Sequence, residues 1–116
     1  MEDMELIRAI IKRVPGSAQK ARLVVNEVRG LPVLEALVLL RFMPQAAAAH
    51  VTKAIESAAA NAEENYALSR DELYIKVITV DGGPTRKWRR FGARGRWKPI
   101  LRRTAHISVA LAEIEE

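Results

Sequence analysis

Two clear strands near the C-terminus are separated by residues 81–103, and this spacing constrains the fold more than any other feature of the chain. In the first, Leu73 to Val80, Leu73, Ile75 and Val77 alternate with Tyr74, Lys76 and Ile78. In the second, Thr104 to Leu111, one face carries Ala105, Ile107, Val109 and Leu111. A period of two marks half-buried strands. Consecutive strands pair by default as a hairpin, yet a structureless connection of this length is uncommon. It is then a functional loop, a disordered one or, as a third option, an outward continuation of both strands as a long two-stranded ribbon. About ten further residues on each side, at about 3.3 Å each, carry its tip about 30 Å away. A compact chain of this size has a radius of gyration near 13 Å, so such an arm protrudes well beyond the body.

The rest of the chain supplies that body. Leu6 to Arg13 reads as a strand with Ile7, Ala9 and Ile11 on one side and Arg8 and Lys12 on the other; Pro15-Gly16 ends it. Ser17 suits a helix N-cap, followed at helical spacing by Ala21, Val24, Val25 and Val28. Gly30 stops that helix and Pro32 starts a second, with Leu34, Leu37, Val38 and Arg41 on one side and Glu35 near its positive end. Pro44 breaks it and opens a third, from about Gln45 to Asn65. Ala47, Val51, Ala54, Ile55, Ala58 and Ala62 form its apolar stripe, and His50, Lys53, Ser57, Asn61 and Glu64 a polar one. The order β-α-α-α-β-β predicts an α+β fold: a small antiparallel sheet packed with three helices, with a long protruding β-hairpin arm. The 116 residues make one domain, 1–116, with the basic hairpin at about 81–103.

Charge is distributed along the same division. The net charge is +5, but residues 1–80 are neutral, with ten basic and ten acidic side chains. Residues 81–103 hold nine cations and one carboxylate, a net +8, and residues 104–116 sum to −3. Cations at that density favour a polyanion, because each phosphate contact releases condensed counterions. The absence of cysteine excludes disulfides, thiolate metal sites and cysteine nucleophiles. No apolar run approaches the roughly 20 residues of a membrane span, and the N-terminus, Met1-Glu2-Asp3-Met4-Glu5, is acidic where a secretory signal is basic. The expectation is a soluble intracellular protein.

Three groups of residues suggest contacts. In the arm, Arg86, Lys87, Arg89, Arg90, Arg94, Arg96, Lys98, Arg102 and Arg103 interleave with Trp88, Phe91 and Trp97. Guanidinium forks bind phosphates, and aromatic rings stack on bases. On the third helix, His50, Lys53, Ser57 and Asn61 offer compact polar groups suited to sugar and phosphate. At the first helix start, Ser17, Lys20 and Arg22 surround a positive helix end, which fits either a phosphate or a plain N-cap. His50 and His106 do not make an enzyme, since no nucleophile–base pair, paired carboxylates or phosphate-cradling loop accompanies them. His106 alternates with the apolar face of its strand and reads as a hydrogen-bonding surface group. Gly92-Ala93-Arg94-Gly95 lacks the strand-then-helix context of a dinucleotide loop.

Taken in order, Lys20-Ala21-Arg22-Leu23-Val24-Val25, Val28-Arg29-Gly30, Ser57-Ala58-Ala59-Ala60-Asn61-Ala62, Val80-Asp81-Gly82-Gly83-Pro84, Ala93-Arg94-Gly95-Arg96 and Arg103-Thr104-Ala105-His106-Ile107 form a specific series. From about Ile10 to Ala112 the chain closely resembles the bacterial large-subunit ribosomal protein twenty-two family. The resemblance implies an α+β body with a long β-hairpin, binding to large-subunit ribosomal RNA, an early role in subunit assembly, and a hairpin tip at the wall of the polypeptide exit tunnel. It implies no enzymatic activity and no cofactor or metal. The RNA-binding residues are then Ser17, Lys20, Arg22, Lys53, Ser57, Asn61, Arg86, Lys87, Arg89, Arg90, Arg94, Arg96, Lys98, Arg102, Arg103 and His106. The tunnel-facing tip is Trp88, Arg89, Arg90, Phe91, Gly92, Ala93 and Arg94. Expected partners are large-subunit ribosomal RNA, neighbouring ribosomal proteins and the nascent polypeptide near the tip, in the cytoplasm, with no membrane and no obligate homo-oligomer. The chain departs from the family pattern at Ser17-Ala18-Gln19-Lys20, at Lys87-Trp88 and at Phe91-Gly92. A free-standing RNA-binding chaperone or regulator is the alternative on charge alone, and a small hydrolase using His50 or His106 is a third reading.

Overall fold

A computed structural model describes residues 7–83, 86–91 and 97–114. The elements are β1 (Ile7–Pro15), α1 (Ala18–Val28), α2 (Val33–Arg41), α3 (Ala47–Tyr66), a 3-10 turn (Arg70–Glu72), β2 (Leu73–Gly82), β3 (Arg86–Phe91), β4 (Trp97–Arg102) and β5 (Thr104–Glu113). The body sheet is antiparallel in the order β1-β5-β2, and β3 and β4 form a separate two-stranded ribbon. This is the α+β architecture read from the sequence, three helices on a three-stranded sheet with a β-hairpin. The Cα radius of gyration is 17.3 Å and the extents are 65 × 28 × 24 Å, against about 13 Å for a compact chain of this length.

The ribbon nearly continues the body strands. Gly82 pairs with Ala105, the Gly83 N–H donates to the Thr104 carbonyl at 2.9 Å, and Arg86 then pairs with Arg102. The register runs on to Phe91 opposite Trp97.

Two β-bulges reset the alternation. In β2, Ile75 pairs with Leu111 but Val77 with Ala110, so Lys76 is an extra residue. An inserted residue turns every later side chain to the opposite face. Leu73, Ile75, Ile78 and Val80 are therefore buried while Val77 is 44% exposed. The expected alternation holds only to Ile75, and the Val77 and Ile78 positions are exchanged. In β1 the register shifts between Ile11 and Val14, where Arg13 adopts a positive φ of 59°. That bulge returns Val14 to the core, beside Ile7 and the partly buried Ala9 and Ile11 on the predicted face.

The helices cover one face of the sheet, α3 on β1 and β5 and α1 on β2. Ser17 caps α1, its Oγ accepting from the N–H groups of Gln19 and Lys20 at 3.2 and 3.5 Å. Ala21, Val24, Val25 and Val28 are buried as expected, and Gly30 follows with φ of 85°, a conformation that suits glycine at a helix end. On α3 the buried stripe is Ala48, Val51, Ala54, Ile55, Ala58, Ala59 and Ala62. Its alanines let the helix axis approach the strands closely. On α2 the buried residues are Val33, Ala36 and Leu40. The expected side, Leu34 and Val38, faces outward at 48% and 54% exposure, with Leu37 partly buried between the two faces.

Candidate nucleic-acid interface

The body's edges explain several polar residues. β2 is an edge strand, and an open edge exposes a row of unpaired backbone groups. Here it is sealed from α1 and the segment that follows. The Arg22 Nε donates to the Val80 carbonyl at 3.0 Å. Arg29 donates to the Ile78 carbonyl at 2.8 Å and is itself steadied by the Asn26 Oδ1 at 2.6 Å. Farther along, the Gly30 N–H donates to the Ile75 carbonyl at 3.0 Å, and the Ile75 N–H donates to the Leu31 carbonyl at 2.9 Å. The seven-residue interval from Arg22 to Arg29 is two helical turns, which puts both guanidinium groups on the side of α1 that follows β2. From the sequence Arg22 fits either a phosphate ligand or an exposed cation beside a plain N-cap, and Arg29 has no assigned contact.

The opposite edge, β1, is treated similarly. Asn61 donates to the Arg8 carbonyl at 3.4 Å and accepts from Asn65. The start of α3 and Val14 line one cavity, while Asn61 meets Arg8, so α3 runs antiparallel to β1. Its polar stripe, with Lys53 and Ser57 exposed, then lies along the β1 edge, while the exposed Arg8 and Lys12 alternate with Ile7, Ala9 and Ile11 and so lie on the face of the sheet that the helices leave open. Arg8, Lys12 and Arg13 were not among the predicted contacts.

At the root of the ribbon, the Arg13 N–H donates to the His106 Nδ1 at 3.1 Å. This fixes the tautomer in which the His106 Nε2 carries the proton. His106 is thus a hydrogen-bonding group that locks the β1 bulge to β5. Arg103 is exposed, and its carbonyl accepts from the Gly16 N–H at 2.9 Å. Lys20 is exposed on α1, whereas Ser17 is partly buried and engaged in its cap. That cap already uses two first-turn N–H groups, so the α1 start is a capped helix end with a neighbouring cation rather than an open ring of donors.

The ribbon's backbone register carries the densest charge. It places Arg86 opposite Arg102 and Arg90 opposite Lys98, with Lys87, Trp88 and Arg89 opposite Leu101, Ile100 and Pro99. Gly92, Ala93, Arg94 and Arg96 lie outside the described residues. Among the described residues no group of His, Asp or Glu is placed to hold a metal ion, and no helix is long and apolar enough to cross a membrane.

Architecture defines the class first: a small α+β body with sealed sheet edges, joined to a separate and strongly cationic two-stranded ribbon. The profile of the family described as "Ribosomal protein L22p/L17e" matches residues 9–112. The chain is 47% identical over 110 residues to "Large ribosomal subunit protein uL22" of Thermomicrobium roseum, covering 95% of this chain and 93% of that protein. It is 50% identical over 106 residues to the protein of the same name from Desulfotalea psychrophila, covering 91% and 96%. The identity to the Chloroflexus aggregans protein of that name is 47% over 106 residues, covering 91% and 94%. The chain belongs to the L22p/L17e family of ribosomal proteins, which are structural components and not enzymes.

Proposed function

We propose that this protein is a structural constituent of the cytoplasmic large ribosomal subunit that binds large-subunit ribosomal RNA, assists assembly, and reaches with its hairpin to the wall of the polypeptide exit tunnel. The observation that carries the reading is the ribbon register. Arg86 faces Arg102 and Arg90 faces Lys98 across the two strands. Like charges directly opposite one another destabilise a strand pair, and a two-stranded ribbon alone is marginal in water. An anionic partner removes the repulsion. Arg86, Lys87, Arg89, Arg90, Arg94, Arg96, Lys98, Arg102 and Arg103 neutralise phosphates, and Trp88, Phe91 and Trp97 stack on bases or wedge between RNA segments.

The body seats the arm. Lys20, Lys53, Ser57 and Arg103 contact the RNA backbone, joined by Arg8, Lys12 and Arg13 of β1. Arg22, Asn61 and His106 hold their positions through the backbone bonds described above, and each retains donors for RNA. The tip, Trp88 to Arg94, is the portion nearest the nascent polypeptide, and neighbouring ribosomal proteins complete the surroundings. Co-sedimentation with large subunits through a high-salt wash tests this. The protein is expected to stay with the particle, while release into the supernatant as free protein identifies a dissociable RNA-binding factor instead.

A further inference from the structure

A cavity of about 480 Å³ opens where the ribbon meets the body. Its walls are apolar: Val14 and Pro15 from the end of β1, Leu23 from α1, Ala47 from α3 and Ala105 from β5. Three polar side chains line it, Lys20, Gln45 and Ser17, the last with its Oγ engaged in the α1 cap, and no described lining residue is a carboxylate. Leu23 is 61% exposed, so its side chain is accessible to a ligand at the cavity. The N–H of Gly16, on the lining, donates to the Arg103 carbonyl at 2.9 Å, which ties this wall to the strand end at the root of the arm.

We propose that this cavity takes a nucleobase splayed out of the ribosomal RNA, an inference that rests on the RNA-binding reading above. The volume falls within the range of sites that enclose small flat ligands, about 300–1,000 Å³. Aliphatic walls give a base a dry face to stack against, and sequence-selective RNA recognition commonly captures unstacked bases in this way. The Gln45 amide presents a donor and an acceptor side by side, the pattern that matches a base edge. Lys20, at the rim, meets the phosphate of the same nucleotide. Charge complementarity selects this occupant: the charged side chain on the described lining is the cation Lys20, no described lining residue is a carboxylate, and the pocket lies beside the strand ends that lead into the +8 arm.

The test uses the full chain and a large-subunit ribosomal RNA transcript, with base-reactive and backbone-reactive chemical probing and binding measured across a salt series. Ala47→Phe fills the cavity, and Leu23→Gln, at an exposed position, makes its wall polar without touching the core. Both are expected to weaken binding about ten- to a hundredfold. The slope of log affinity against log salt should stay unchanged, and one or a few unpaired bases protected by the wild type should become reactive again. Lys20→Ala should instead reduce the slope by about one, as loss of a phosphate contact does. Wild-type affinity and base protection in both cavity variants overturn the proposal. So does unchanged RNA binding accompanied by loss of a cross-link to another protein in assembled subunits, which assigns the cavity to a protein side chain. If the wild type itself binds this RNA without salt dependence, the RNA-binding reading fails and not merely the base pocket.

Discussion

Replacing Gly83 with alanine tests how the arm is set on the body. A methyl group here would lie 2.6 Å from the Thr104 Oγ1 and 3.1–3.2 Å from the His106 ring. Neither neighbour yields easily. The threonine oxygen moves only by rotation about a β-branched χ1 with few wells, and His106 is held by the Arg13 N–H at 3.1 Å. In open space Gly→Ala stabilises by about 0.4–1 kcal/mol through the unfolded chain. Overpacking of this kind costs about 1–3 kcal/mol, so the sign reverses. For a domain near this size, each kcal/mol lowers the melting temperature by about 4–8 °C. Thermal and urea unfolding of Gly83→Ala, Thr104→Ala and the double variant form the cycle. Thr104→Ala removes the 2.6 Å clash and leaves only the His106 contact, so the double variant should recover at least half of the Gly83→Ala loss. Unaltered stability of Gly83→Ala, or strict additivity of the two changes, refutes the close approach.

Three further outcomes follow from the same structure. Arg29→Ala removes the donor on the Ile78 carbonyl and should cost about 1 kcal/mol, with Arg22→Ala adding a similar loss; native-state hydrogen exchange should show faster opening of β2 than of the central β5. Ala67 ends α3 in the left-handed region at φ 54° and ψ 33°, so Ala67→Gly should raise stability by about 0.5–1 kcal/mol in urea titration. Replacing residues 84–102 with a two-residue Asn-Gly turn should leave a cooperatively unfolding body, because the three helices and the β1-β5-β2 sheet share one core cluster of their own; loss of a single cooperative transition would show that the ribbon is part of the core.

The places where the sequence misled are instructive. β5 was legible throughout, since Ala105, Ile107, Val109 and Leu111 alternate without interruption and all are buried. β2 was not, because Leu-Tyr-Ile-Lys-Val-Ile-Thr-Val contains two equally good period-two readings and the bulge at Lys76 joins one to the other. No local signal marks that insertion; pairing with β5 and the packing of α1 decide it. α2 is apolar around most of its circumference, so its pattern does not single out a face, and the tertiary contacts choose Val33, Ala36 and Leu40. The candidate contacts divide in the same way. The ribbon's charge is a property of composition and was plain, whereas the edge-sealing roles of Arg22, Arg29 and Asn61 depend on carbonyls 53 residues away or nearly so, which no local pattern contains. Lys53 and Ser57 follow from their helical stripe, and their place along the β1 edge emerges only from the antiparallel course of α3.

The central claim is that the cationic ribbon binds RNA by neutralising phosphates, and the salt dependence of binding measures this directly. With six to ten phosphate contacts, affinity for large-subunit ribosomal RNA should fall about 10³–10⁵-fold between 50 and 200 mM salt. Changing Arg86, Arg89, Arg90 and Arg94 together to glutamine should reduce the slope of log affinity against log salt by about three to four. A flat salt response of the wild type, or an unchanged slope in the fourfold variant, would contradict the account.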